Sequence, residues 1–352
     1  MAEDAWILTL NAGSSSLKLG AFDREGAQLA AHQISGVDVM ALPEADARAS
    51  VETLRAAAPR PLAPAPLAVG HRVVHGMERH EPCLLDAAAR ADAERASTFA
   101  PLHNPPALRV ADLAAALFPG ALPIVCWDTA FHAPNPPLVS TFALPPEIRA
   151  EGIRRYGFHG LSYASLVRRF EALAGVPLPR RLLALHLGAG ASEAAIVDGV
   201  GLASTMGFSP LDGLVMATRP GALDPGVVLH LIRGGRSVEE VERLLNRESG
   251  LKGLAGAGDM RTLLSRDDAE ARFAVDLYVD RAARQGAGLI CVMGGLDGLA
   301  FTGGVGEHAA PIREAIVAKL AWAGASPEKT WVIPADEEGE IAVAAARLLA
   351  AA

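Results

Sequence analysis

The sequence predicts an α/β protein built from two related domains, and three observations carry that reading. At 352 residues the chain exceeds one ordinary core, and such a length points to about two domains. Residues 7–26, ILTLNAGSSSLKLGAFDREG, lie over residues 182–201, LLALHLGAGASEAAIVDGVG, with Gly13 on Gly188, Asp23 on Asp198 and Gly26 on Gly201, all at an offset of 175. Each copy reads as strand, glycine turn, strand and a second turn at D-x-x-G, as a duplicated β-hairpin would. Strand-like runs and capped helical segments then alternate around the two hairpins, which completes the α/β pattern. The expected arrangement is two such domains facing each other across a cleft.

The elements follow in order. AWILTL opens the first hairpin, and the proline-rich tract of residues 56–70 is a surface connection. GHRVVHG (70–76) contains a short apolar strand, and LPIVCWDTAFH (122–132) another. After the second hairpin, DPGVVLHLIRG begins a helix with Asp224 as N-cap and Pro225 at the first helical position. SVEEVERLLNRESG starts a second, with Ser237 and Glu240 forming a capping box. A long helix spans about 267–290, followed by GLAFTGGVGEH, read as a strand and a glycine-rich turn leading into a helix. The alanine-rich C-terminal helix, EIAVAAARLLAAA, needs a docking surface to be stable.

Composition narrows the partners. The formal charge of −8, from 40 acidic against 32 basic residues, argues against a nucleic-acid or anionic-membrane surface and favours a small soluble ligand. Cys83, Cys126 and Cys291 lack C-x-x-C spacing, so neither a disulfide framework nor a zinc site is indicated. Acidic residues near the start do not suit a signal peptide, and the most apolar window, residues 286–306, is broken by Asp297 and rich in glycine. A cytoplasmic protein without a membrane span is expected.

Three glycine turns follow apolar runs: NAGSSS (11–16), HLGAGAS (186–192) and TGGVGEH (302–308). Glycine lets backbone N–H groups converge on an anion and serine adds donors, so such turns can hold phosphates without a P-loop. The alternative is that they only mark tight hairpins. His71 and His75 stand four apart, but Arg72 occupies the place of a zinc-protease glutamate and flanking glycines oppose a helix. Arg72 can instead aim its fork at a carboxylate or phosphate, or pair at the surface with Glu78 or Glu81. Asp128 directly follows a strand, where ligand-facing residues of open α/β sheets gather. GLSYA resembles a nucleophile elbow around Ser162, yet no strand leads into it and the order of acid, histidine and serine is wrong. His159 lies between glycines, and Arg219 precedes Pro220, which holds it extended. Two loop arginines, a loop histidine, a strand-end aspartate, Lys18 and three anion-cradling turns form an inventory for phosphoryl transfer.

Together NAGSSSLK, GHRVVHG, APLHNPP, DTAFH, YGFHGLSY, STMGFSPLDGL, DPG and GVGE, in this order, resemble the acetate kinase family over nearly the whole chain. The resemblance implies a duplicated ribonuclease-H-like, actin-like ATPase fold, with one domain from 1–129 plus 336–352 and a nucleotide-binding, dimerising domain from 130–335. It implies acetate and ATP as substrates, ADP as product, Mg²⁺ or Mn²⁺ as the metal, and a homodimer. Arg72 and Arg219 would clamp the acid and the phosphoryl group in flight, His159 would stabilise transition-state charge, and Asp128 would orient or act as acid/base. Val74, Leu102, Phe158 and Pro210 would enclose the methyl group, and His103 and His186 would line the cleft. Ser14, Ser16 and Lys18 would grip nucleotide phosphates, as would Leu187, Gly188, Ala189 and Gly190. Asp259, Met260, Arg261, Gly304, Val305, Gly306, Glu307 and His308 match nucleotide-binding segments, and Asn11 and Glu337 match metal-associated positions. The family pattern has asparagine where Ala189 and His308 stand and reads N-D-x-R where this chain has Gly258 before Asp259, so the nucleotide site departs more than the acid site. Within enzymes the rivals are a propionate or other short-chain acid kinase and a pyrophosphate-dependent one. Outside enzymes the rival is a nucleotide-binding regulator without turnover.

Overall fold

A computed structural model of the chain describes residues 4–13 and 16–351. It divides into two compact units, one of Met1–Ala133, Gly160–Ser165 and Asp336–Ala352, the other of Pro134–His159 and Leu166–Ala335.

The first unit holds a sheet of β1 (Ile7–Ala12), β2 (Ser16–Phe22), β3 (Gln28–Ser35), β4 (Ala68–Val73), β5 (Cys83–Leu84) and β6 (Leu122–Trp127), in the order β3-β2-β1-β4-β6-β5. β1, β2 and β3 pair antiparallel, whereas β4 and β6 join β1 in parallel. One face packs Leu8, Leu10, Leu17 and Leu19 against Val51, Leu54, Val110 and Leu113 from the helices Glu44–Ala56 and Asn104–Leu117. The other packs Ile7, Phe22, Ile124 and Cys126 against Ile341, Ala342 and Ala345 of the C-terminal helix Glu337–Ala351. That face is the docking surface the alanine-rich helix requires. Gly70 makes the approach possible, because a Cβ there would lie 2.4 Å from Ile341 Cγ2.

The second unit repeats the plan with β7 (Arg181–Leu187), β8 (Ala191–Val197), β9 (Val200–Ser204), β10 (Gly298–Thr302) and β11 (Thr330–Val332), in the order β11-β10-β7-β8-β9. β7, β8 and β9 are antiparallel and β10 and β11 parallel, so each strand has a counterpart in β1, β2, β3, β4 and β6. The helix Ala269–Met293, capped by Asp268, covers the sheet. Asp224 caps the helix Pro225–Arg233, and the Ser237–Glu240 capping box is complete.

Three readings need correction. The single offset of 175 holds for β1 over β7 but not across the turns: Ala12 pairs with Leu17, whereas Leu187 pairs with Ala191. The second turn is one residue shorter, and a one-residue slip turns every following side chain to the opposite face. Nor is the second copy's later turn D-x-x-G. Asp198 and Gly199, at φ 51° and 80°, make a two-residue hairpin turn, and Gly201 already lies in β9. Finally, residues 303–308 are a helix, Gly303–His308, not a turn. Gly303 takes φ +77° against the Leu187 carbonyl, and the Glu307 carboxylate accepts from the Gly303 N–H at 3.0 Å.

Candidate active site

In the first unit β4 and β6 run side by side, with Arg72 opposite Cys126, and Asp128 follows the end of β6 with its N–H bonded to the Val73 carbonyl. Arg72 donates from Nε and Nη2 to Asp128 Oδ2 at 2.9 and 2.5 Å, and from Nη1 to Asn11 Oδ1 at 3.0 Å. Its Nη1 also lies 3.7 Å from Glu337. The surface pairing with Glu78 or Glu81 is replaced by a partly buried network, because the alternation of β4 puts Arg72 on the same face as Gly70, toward the C-terminal helix. Burial pushes the Asp128 carboxyl up, Arg72 pulls it down, and Glu337 pushes it up again. Burial would lower the Arg72 guanidinium, but Asp128, Glu337 and Glu338 raise it, so it stays charged.

Asn11, at the end of β1, donates from Nδ2 to Glu337 Oε2 at 2.9 Å and to Glu338 Oε1 at 2.8 Å. Lys18 Nζ lies 3.6 Å from Glu338. Two carboxylates thus converge at the first turn of the C-terminal helix, a hard-oxygen pair suited to a cation that keeps most ligands as water and phosphate. No cluster of three or more His, Cys, Asp or Glu side chains with metal-ligating geometry occurs among the described residues. The sequence reading named Glu337 alone, although the run DEEGE also carried Glu338. Ser14 lies outside the described residues. The Ser16 carbonyl accepts the Gly13 N–H and closes the turn. Val74 is buried, whereas Leu102 and His103 are partly buried just before the helix that starts at Asn104.

In the second unit His159, at φ 58°, is the N-cap of the helix Gly160–Ala174. Its ring stacks on His186 at 4.2 Å between centroids, and its Nδ1 shares a 2.9 Å hydrogen bond with Ser192 Oγ. Gly190 sits against both His159 and Arg219: a Cβ there would lie 3.1 Å from His159 Nε2 and 2.9 Å from Arg219 Nη2. Arg219 donates from Nη1 to the Pro210 carbonyl at 2.8 Å, and among the described residues no carboxylate pairs with it. Burial lowers its guanidinium to about 10. A desolvated cation held by one carbonyl, beside a glycine turn and a histidine, is built to receive an anion. Phe158 and Pro210 are buried beside these residues in sequence.

A separate pocket in the same unit gathers Gly188, Ala189, Asp259, Met260, Arg261, Gly304, Val305 and His308. Gly258, Leu264, Ala309 and Pro311 complete its lining; the last three escaped the sequence reading, because apolar wall residues carry no chemical signature. Asp259 accepts from the Thr262 N–H at 2.9 Å, which lowers its carboxyl, and pairs with the exposed Arg261 at 3.2 Å. Four named residues lie apart from the lining: Leu187 is in the core, Gly190 faces Arg219, Gly306 packs on Phe301, and Glu307 ties Gly303 to the Ala335 N–H.

Known proteins resemble this chain over most of its length. An acetate kinase of Rhodopseudomonas palustris (strain TIE-1) is 43% identical over 299 residues, covering 78% of this chain and 75% of its own. An acetate kinase of Nitrobacter hamburgensis is 38% identical over 381 residues, covering 96% and 94%. Among solved structures, Porphyromonas gingivalis acetate kinase superposes with a TM-score of 0.87 at 29% identity, covering 98% of this chain and 100% of its own. A propionate kinase from Francisella tularensis gives 0.86 at 30% identity, covering 97% and 98%. The repeated sheet is accordingly that of the actin-like ATPase fold. The Acetokinase family itself matches residues 45–347, a span that contains Arg72, Asp128, His159, Arg219 and the whole pocket at Ala189, and to that family this chain belongs.

Proposed function

We propose that the chain is an ATP-dependent acetate kinase that interconverts acetate and ATP with acetyl phosphate and ADP. The observation that carries the reading is Arg219, a half-buried guanidinium without an acid partner among the described residues, set against the glycine turn at Gly190 beside His159. In the forward direction an acetate oxygen attacks the γ-phosphorus, the new C–O–P linkage forms, and the bond from phosphorus to the ADP oxygen breaks. Acetate is already ionised at neutral pH, so no base is needed. Asp128 is then an orienting residue: by gripping Nε and Nη2 it fixes the plane of Arg72, the group assigned to the acid. His159 and Arg219 neutralise charge on the transferring phosphoryl group, where positioning and electrostatics do most of the work.

Gly188, Ala189, Asp259, Met260, Arg261, Gly304, Val305 and His308 are assigned to the nucleotide, with Ser14, Ser16, Lys18, His186, Leu187, Gly190, Gly306 and Glu307 as supporting positions. Asn11 and Glu337, joined by Glu338, are assigned to Mg²⁺ or Mn²⁺, which when bound offsets phosphate charge. In this proposal residues of both units serve one reaction, with 1–129 plus 336–352 as the acid-binding domain and 130–335 as the nucleotide-binding one.

A homodimer through the second domain is supported by the helix Pro225–Arg233, which has no buried residue and exposes Val227 (40%), Leu229 (50%) and Ile232 (39%). Among the described residues no helix is long and apolar enough to cross a membrane, and a cytoplasmic location is proposed. A hydroxamate assay with acetate, propionate and butyrate against ATP, GTP and pyrophosphate tests the reading. The expected result is acetyl phosphate from acetate and ATP; turnover with pyrophosphate alone would overturn the donor. Propionate is the second reading, favoured by the Francisella neighbour. Val74 should crowd it, and one methylene is worth about 1–3 kcal/mol, so it should be a poor substrate.

A further inference from the structure

Arg155 and Asp212 belong to none of the groups assigned above, yet they tie together the two segments that carry His159 and Pro210. Arg155 donates from Nη2 to Asp212 Oδ2 at 2.9 Å and to the Thr205 carbonyl at 3.1 Å. Its N–H is bonded to the Ser140 carbonyl at 2.7 Å, and its guanidinium lies 5.4 Å from the Phe142 ring centre. Asp212 uses its other oxygen to accept from the Gly213 N–H at 2.8 Å. The next residue after Arg155, Tyr156, bonds its N–H to the Gly207 carbonyl at 2.9 Å. Gly207 has no room for a side chain, because a Cβ would stand 2.5 Å from Asp212 Oδ2 and 3.4 Å from Arg155 Cζ. Residues 155–157 and 205–213 are thus laced by one ion pair, the Arg155 bond to the Thr205 carbonyl and two backbone bonds to the Gly207 carbonyl, with that glycine at the crossing.

From this lacing two short paths lead to the chemistry. Pro210, two residues before Asp212, supplies the carbonyl that holds Arg219 Nη1 at 2.8 Å. His159, three residues after Tyr156, takes its strained left-handed conformation directly beyond the laced segment. The pair itself is partly exposed, at 29% and 33% of the side chains, and such pairs contribute little to stability.

We propose that Arg155 and Asp212 are positioning residues for phosphoryl transfer: their ion pair fixes the Pro210 carbonyl and the approach to His159, and so sets where the Arg219 guanidinium points. The proposal rests on the acetate kinase reading for its kinetics and on the geometry alone for its labelling arm.

The experiment compares Asp212→Asn and Arg155→Gln with the parent chain, alone and combined with Arg219→Ala. With acetate and ATP, each single change should lower kcat by about 10- to 100-fold, the scale of a small misplacement, while KM for ATP stays within about twofold. In the Arg219→Ala background the same changes should cost almost nothing more, since residues acting as a unit are non-additive. Equal losses in both backgrounds would overturn the proposal and leave the pair a merely structural tie. Phenylglyoxal labelling, resolved by mass spectrometry at the peptide carrying Arg219, supplies the arm without turnover. Modification of Arg219 should be several-fold faster in Asp212→Asn than in the parent; an unchanged rate would also overturn the proposal. If the parent chain turns over no acetate, the acetate reading fails, and the labelling result still decides whether the pair positions Arg219.

Discussion

At the scale of single residues, the anion-binding role proposed for Arg219 has a thermodynamic consequence. A desolvated guanidinium without a carboxylate gains when an anion arrives. Sulfate or inorganic phosphate should therefore raise the melting temperature of the parent chain by a few degrees and leave that of Arg219→Ala nearly unchanged, as read by scanning fluorimetry. Arg219→Ala should also lower kcat by roughly a hundredfold or more, the usual scale for removing a group that neutralises transition-state charge. Ala189 lines the pocket proposed for the nucleotide with a methyl group. Ala189→Asn adds an amide, and one neutral hydrogen bond is worth about 0.5–1.5 kcal/mol, so KM for ATP should fall several-fold with KM for acetate unchanged. These positions were legible in the sequence because chemistry and punctuation coincide there. Arg72, His159 and Arg219 are flanked by glycine or proline, and Asp128 closes an apolar strand. Ser192 and Glu338 were not singled out, since a serine in a turn and a second glutamate in an acidic run look alike whether or not they hold a partner.

At the scale of elements, two strands carry buried ionisable groups with opposite consequences for pH. His71, on β4, is 2% exposed, and burial lowers its imidazole to about 4. The unfolded chain takes up that proton near pH 6.5 and the folded chain only near 4, so stability falls as pH drops through that window, by up to about 3 kcal/mol. Glu193, on β8, is fully buried with neither carboxyl oxygen hydrogen-bonded, and burial pushes its carboxyl well up. Here the folded chain holds the proton longer, so stability is greatest at low pH and is lost as pH rises past the ordinary glutamate range. Melting curves between pH 4 and 8 should show Glu193→Gln gaining most over the parent near neutrality and least at pH 4; equal gains across the range would refute the assignment. Helix caps such as Ser237 with Glu240 were readable from sequence, because capping is local. The helix at Gly303 was not, because its start depends on the Leu187 carbonyl and the Glu307 carboxylate, one of them distant in sequence.

At the scale of the whole molecule, the fold class was readable because duplication leaves both copies in one chain, and the strand orders of the two sheets confirm it. The register of the second hairpin was not, since turn length is settled by pairing rather than by glycine content. Assembly is tested here as well: Leu229→Glu with Ile232→Glu on the exposed helix should convert a dimer into a monomer in multi-angle light scattering, with each chain still folded. The shorter turn between β7 and β8 carries a final consequence. Lys18 and Glu193 occupy matching places in the repeated sequence, yet Lys18 shares a face with Asn11 whereas Ser192, not Glu193, shares one with His186. A graft of the longer first turn onto the second hairpin would turn Glu193 to the face of His159 and Ser192 to the opposite one, costing that ring its bond to the Ser192 hydroxyl.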